Sequence, residues 1–226
     1  MVKSFLIIII SQMFVFAGEQ IIIVIADDYN STKAKLYSFE DGAEVFDPFL
    51  VNVGRGGLGF GVGEVELFHT DKEPLKHEGD KRAPIGIFNL SAVFGYEKDL
   101  KNKMPYILAT KELICVDDSD SKFYNQIIKK PKNLPKSFEE MRREDSQYKL
   151  GVVVEHNKEQ LKQRGSCIFI HVEKSQNEPT AGCTSMKIED LKKIIEWLEK
   201  AKNPILIQTT KKELEQVLKL YPALKL

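Results

Sequence analysis

The sequence predicts a mainly β fold of the α+β class, one domain with a few peripheral helices. Short apolar runs rich in β-branched residues recur from residues 21–26 to residues 205–207, and such runs mark strands with buried faces. Turn pairs such as Asp41-Gly42 punctuate them. Helical spacing is confined to a few short stretches. At 226 residues and 42% hydrophobic the chain can build one core of ordinary size. No repeat or low-complexity linker divides it.

Residues 21–26 are apolar throughout, as a buried strand requires, and Leu36-Tyr37-Ser38-Phe39 and residues 49–53 continue in strand style around the Asp41-Gly42 turn. Between residues 54 and 63 glycine occurs six times. Gly54-Arg55-Gly56-Gly57-Leu58-Gly59 meets the spacing of a dinucleotide-binding loop, but Glu64-Val65-Glu66-Leu67 then alternates like a strand instead of opening a helix. The segment is therefore a glycine-rich loop that packs closely or borders a cleft. Arg55 is either its one chemically useful side chain or a solvated surface residue. Residues 111–150 are richer in charge, and Ser137-Phe138-Glu139-Glu140 fits a capping box opening a short helix through Arg143. This helical insertion is either a lid over a cleft or a surface excursion. Residues 150–155 are strand-like and end at His156-Asn157. Beyond a further β run at residues 167–172, Ile188, Leu191, Ile194, Ile195 and Leu198 fall at helical spacing, with Glu189-Asp190 in the first turn. Lys202-Asn203-Pro204 stops that helix, Ile205-Leu206-Ile207 closes the fold as a strand, and residues 211–220 form a short amphipathic helix.

Lys+Arg 33 balance Asp+Glu 33, so there is no electrostatic case for a nucleic-acid partner. Lys3, the apolar residues 5–10 and Val15-Phe16-Ala17 together have the layout of a secretory leader cleaved before Gly18. The apolar run is broken by Ser11 and Gln12 and falls short of the about 20 residues a spanning helix needs. The expected product is an exported, periplasmic or wall-associated domain over residues 18–226 with no integral membrane anchor and, once Lys3 is gone, a net charge of −1. Cys115, Cys167 and Cys183 are an odd number for an oxidising compartment. If Cys183 is a free nucleophile, Cys115 and Cys167 remain as a disulfide candidate or as two small buried thiols.

Residues 165–186 carry the chemistry. His171 stands near the end of the β run, a polar turn follows, and Thr180-Ala181-Gly182 returns the chain to Cys183, 12 positions after the histidine. A cysteine nucleophile needs a nearby base and backbone donors for the oxyanion it creates. Gly182 lets the backbone approach a reacting carbonyl with no side chain in the way. Of the four histidines, His69, His77, His156 and His171, no pair has the close helical spacing of metal ligands, and there is no Cys-x-x-Cys. Neither a metal nor a cofactor is expected; a zinc peptidase site built on Asp117-Asp118 has no spacing to support it.

This spacing, with its small-Gly-Cys element, resembles the catalytic motif of the L,D-transpeptidase (YkuD-type) family. Glu78-Gly79-Asp80 and Ala83-Pro84-Ile85-Gly86-Ile87-Phe88 are similar to the family's Gly-Asp…Thr-Pro-x-Gly-x-Phe strand. Cys115-Val116-Asp117-Asp118, Tyr124-Asn125 and Val154-Glu155-His156-Asn157 resemble a compact subfamily, over a core of about residues 20–208. Ser185 stands where the family often has Arg, and Val172 where it often has Gly. The resemblance implies a β-rich domain in which His171 takes the Cys183 proton, the Val172 carbonyl orients the imidazole, and N–H groups near Gly182 and Cys183 hold the oxyanion. It further implies that Tyr124, Asn125, His156 and Asn157 border the substrate cleft, with Arg55, Thr180 and Ser185 as further substrate-binding candidates. The implied substrate is a peptidoglycan stem tetrapeptide, attacked at its third residue with loss of D-alanine. The acyl group passes to an amine, to water, or to a wall-anchored protein acceptor. A hydrolase of stem-peptide or protein–peptidoglycan links and a non-enzymatic wall-binding module are the alternatives.

Overall fold

The computed structural model describes residues 19–226. The expected leader, residues 1–17, lies outside the described residues. In chain order the elements are β1 (Gln20–Ala26), β2 (Lys33–Glu40), β3 (Ala43–Asn52), β4 (Leu58–Phe60), β5 (Ala83–Gly95), β6 (Tyr106–Leu108), β7 (Leu113–Cys115), β8 (Ile127–Lys129), β9 (Glu139–Glu140), β10 (Leu150–Val154), β11 (Phe169–Val172), β12 (Thr184–Met186), α1 (Ile188–Trp197), β13 (Ile205–Thr210) and α2 (Leu214–Leu220). A 3-10 turn, Lys200–Lys202, separates α1 from β13.

The main sheet runs β10-β11-β12-β3-β2-β1-β13-β5-β4, and β5 also pairs with β10. The ladder therefore closes on itself like a barrel, leaving the central strands without free edges. The long strand β5 makes this possible: residues 86–89 pair with β13, and residues 90–95 pair with β10. β1 lies between β2 and β13 and is buried along nearly its whole length, as its Ile/Val run demands. β2 starts with strict exposed–buried alternation at Lys33, Ala34, Lys35 and Leu36, the pattern of a strand with one wet face. Asp41 and Gly42 both adopt positive φ (53° and 78°), giving the primed turn that suits a two-residue hairpin. Helix α1 turns Leu191, Ile194 and Ile195 into the core and packs on β10 and β11, behind the strand that carries His171.

Two local expectations give way to tertiary structure. The insertion at residues 111–150 is not helical: it holds a separate small sheet in the order β8-β7-β9. Within the anticipated capping box, Glu139 and Glu140 instead pair with Cys115 and Ile114 of β7. The Glu140 carboxylate that would have capped a helix is taken by Lys130 at 2.7 Å. A ladder anchored on β7 outweighs the tenths-to-one kcal/mol scale of a local helix signal. The alternation at residues 64–67 likewise yields a single bridge, Val65 with Ile87, rather than a strand.

Candidate active site

β11 and β12 run parallel, with Ile170 opposite Thr184 and His171 opposite Ser185. Cys183 itself precedes β12, in the bend that leads into that strand. The Phe169 amide holds the Cys183 sulfur against β11, two residues before His171. Phe169, Cys183 and Tyr148 belong to one buried cluster, and the Tyr148 ring meets the imidazole edge-on at 5.4 Å between centroids.

The turn before Cys183 is built for close approach. Gly182 has φ 146°, and a Cβ there would lie 3.0 Å from the Arg82 carbonyl oxygen, so glycine is required. The buried Thr180 hydroxyl donates to the Cys183 carbonyl (2.6 Å) and accepts from the Gly182 N–H (3.1 Å). Thr180 thus shapes the turn into Cys183, and the Gly182 N–H is already occupied. His171 Nδ1 lies 2.8 Å from the Val172 carbonyl oxygen. A carbonyl only accepts, so Nδ1 carries the hydrogen and Nε2 holds the lone pair. The Phe169 N–H donates to Cys183 Sγ (3.3 Å), and the thiol donates to the Cys167 carbonyl (3.5 Å).

Burial dominates the electrostatics. It holds His171 down to about 4, against the opposing effect of the Val172 carbonyl. It pushes the Cys183 thiol up to about 12, reinforced by the negative charge of Glu139 and opposed by the Phe169 N–H. Low-dielectric surroundings disfavour both charged forms, so the resting pair is neutral thiol and neutral imidazole. Glu139 is itself raised to about 7, first by burial and then by Asp117 and Glu78, although the Tyr148 hydroxyl bond works the other way.

The insertion covers this pair. Met141 and Tyr148 are buried with Cys183, Cys115 and Cys167 in the same cluster. Cys115 of β7 is disulfide-bonded to Cys167, two residues before β11, with Cα atoms 6.0 Å apart. Cys183 is the free cysteine. A cavity of about 600 Å³, lined by Lys111, Lys130, Glu139, Arg142 and Arg143 among others, lies on the insertion side. A second, of about 340 Å³, lies along Cys115, Cys167 and Phe169. Neither is lined by Cys183 or His171, both of which are buried.

The other sequence-selected residues separate into two groups. Arg55 is exposed in the glycine-rich loop; its backbone N–H donates to the Thr180 carbonyl (2.8 Å), which seats that loop beside the turn into Cys183. Ser185 is buried on β12 beside His171. Several of the expected cleft-bordering residues also brace the backbone that leads into β11. Asn125 donates to the carbonyls of His156 and Asn157 and accepts from the Cys167 N–H (2.8, 2.9 and 2.9 Å). Asn157, fully buried, donates to the Leu161 and Gly165 carbonyls. Tyr124 donates to Glu78 at 2.6 Å, as does Ser166. These side chains have internal partners, and Asn125 and His156 also line the smaller cavity. Sequence reasoning missed Tyr148 and Glu139 as parts of the site, because only the tertiary fold brings the insertion onto β11.

His156 is 1% exposed, packed edge-on against Phe88, and both its ring nitrogens lack hydrogen-bond partners among the described residues. Burial, with Lys76 second, lowers its pKa to about 3. The unfolded chain therefore binds protons at His156 and His171 that the folded chain refuses. Their stability contribution is present above pH 6.5 and is lost as pH falls toward the folded values. Glu139 opposes this, since its raised pKa contributes stability below 4.5 that fades as pH rises through 7. Two histidines outweigh one carboxyl, so denaturant stability should fall between pH 6.5 and 4, each histidine adding a slope of at most about 1.4 kcal/mol per pH unit. His156→Leu should flatten that fall. Stability constant or rising on acidification would contradict the assignment.

Comparison with known proteins adds an independent line. The family model for the YkuD L,D-transpeptidase catalytic domain matches residues 20–207. Searches of curated proteins and of solved structures found no match. The match spans nearly all described residues, from β1 into β13, and includes both His171 and Cys183. The chain belongs to the YkuD family of L,D-transpeptidase catalytic domains.

Proposed function

We propose that the chain is a cysteine acyltransferase acting on peptidoglycan stem tetrapeptides. The observation that supports this reading is the free Cys183 thiol, held by the Phe169 amide two residues before His171 and sharing a buried cluster with Tyr148, whose ring packs against the imidazole, behind a turn whose Gly182 carries no side chain. His171 Nε2 takes the Cys183 proton as Sγ attacks the carbonyl of the stem's third residue. Because the resting pair is neutral, proton transfer accompanies attack rather than preceding it. In the resting state the thiol faces the Cys167 carbonyl, so the S–H turns to the imidazole when substrate binds; catalytic hydrogen bonds are often completed only in the complex. The Cys183 N–H is the oxyanion donor. The Gly182 N–H, held by Thr180, keeps the turn. The imidazolium then protonates the departing D-alanine amine, and the thioester acylates an amine acceptor, whether a second stem or a wall-anchored protein. No cofactor enters the scheme.

Export fits this reading. The leader pattern at residues 1–17 and the Cys115–Cys167 disulfide suit an oxidising compartment, and peptidoglycan is found beyond the cytoplasmic membrane. Among the described residues no helix is long and apolar enough to cross a membrane.

Incubating the purified protein with tetrapeptide muropeptides and resolving products by mass spectrometry tests the proposal. Crosslinked or amine-exchanged products with free D-alanine are expected. Tripeptide alone, even with a competing amine, would make the chain an L,D-carboxypeptidase. Unchanged muropeptides would refute acyl transfer.

A further inference from the structure

Tyr148 lies outside the matched sequence motifs yet makes the closest aromatic contact to the proposed base. Its ring edge meets the His171 imidazole at 5.4 Å and 71°. It is also packed edge-on against Phe94 (5.7 Å) and Phe169 (5.4 Å), with the Arg143 guanidinium over its ring at 5.0 Å. Its hydroxyl donates a short hydrogen bond to Glu139 Oε2 on β9. Of the two partners, Glu139 is the unusual one. Its side chain is half-buried at the wall of the larger cavity, it feels the like charges of Asp117 and Glu78, and none of the ion pairs of the described residues includes it. Keeping a carboxyl in such a place is costly unless something fixes it there. Here the fixed group is the hydroxyl of the ring that braces the imidazole.

The Val172 carbonyl holds Nδ1 but leaves the His171 ring free to rock about that bond. A second contact on the ring is what limits the arc through which Nε2 can swing. We propose that Tyr148, anchored by Glu139 of the insertion, is a positioning residue that holds the His171 ring in the attitude from which Nε2 takes the Cys183 proton. The inference rests on the acyltransfer reading of the pair. It also gives the insertion a role: β9 reaches across the site to brace the base.

The test uses the rate of Cys183 alkylation by iodoacetamide as a function of pH, which needs no muropeptide. Cys183 is the free cysteine, so the signal is unambiguous. The shape of the profile, rather than its height, is compared, because a smaller side chain at residue 148 also opens access to the thiol. His171→Ala is expected to remove the base-dependent reactivity at neutral pH, leaving a profile that climbs only with the free thiol's ionisation. Tyr148→Leu should shift the profile most of the way toward that of His171→Ala, lowering neutral-pH reactivity relative to alkaline reactivity about tenfold. Tyr148→Phe, which keeps the ring, should restore most of the wild-type shape, and Glu139→Gln should fall between. Phe94→Leu disturbs the same aromatic cluster without touching the imidazole and should leave the shape unaltered. A wild-type shape in Tyr148→Leu, or an equal change in Phe94→Leu, would overturn the proposal while leaving the Cys183–His171 pair standing. No effect of His171→Ala would instead defeat the acyltransfer reading itself.

Discussion

Folded Cys183→Ala protein should release no D-alanine from tetrapeptide muropeptides, a loss of at least about 10⁴-fold, with His171→Ala close behind. In the proposed mechanism the two act as one proton-transfer unit, so the double variant should be scarcely worse than either single change. The physical ground is the seating of the Cys183 sulfur against β11, two residues before His171, together with a buried thiol held near 12 that ionises at neutral pH only if a base takes its proton as it reacts. Removing Sγ takes away the nucleophile; removing the imidazole leaves a thiol with almost no thiolate. Cys183 is 8% exposed, and trimming one sulfur atom leaves a small void, so circular dichroism should show a native fold. Near-normal release by folded Cys183→Ala would exclude the mechanism.

The second large effect is on stability. Converting both Cys115 and Cys167 to Ser removes a crosslink between residues 52 apart, which the chain-entropy relation values at about 4 kcal/mol. That is a large share of the 5–15 kcal/mol typical of whole domains. The bond ties β7 of the insertion to the segment leading into β11, so its loss should loosen the insertion first. Urea denaturation with and without reductant measures the effect. Wild-type protein in reductant should match the double Ser variant, and the chemistry should persist in both at temperatures where the fold holds. Equal unfolding midpoints for oxidised and reduced wild type would contradict a stabilising role for the bond.

Much of the barrel was legible in the chain. Residues 21–26 and 205–207 read as buried strands because β-branched apolar runs with no polar phase have nowhere to sit but a core, and in the fold they are parallel neighbours, β1 and β13. The periodicity of residues 188–198 named the helix face correctly, since Leu191, Ile194 and Ile195 are the residues that α1 buries. What local reading could not see was long-range. Ser137 and Glu140 form a good helix-opening pair by themselves, but β7 offers a ladder, and the ladder wins. The backbone-bracing roles of the asparagines at 125 and 157 were equally hidden. Both have positive φ (59° and 51°) and spend their amides on loop carbonyls, which sequence spacing does not reveal. Tyr148 and Glu139 escaped notice because each acts only through a residue distant in sequence.

The most direct test of the central claim is intact-protein mass spectrometry of the enzyme quenched in acid during reaction with a tetrapeptide muropeptide, followed by peptide mapping. The expected result is an added mass equal to the stem shortened by D-alanine, located on Cys183 as a hydroxylamine-labile thioester and absent from Cys183→Ala. An adduct on another residue, or turnover by the wild type through which Cys183 remains unmodified at every quench time and fully reactive to iodoacetamide, would contradict covalent acyl transfer by this cysteine.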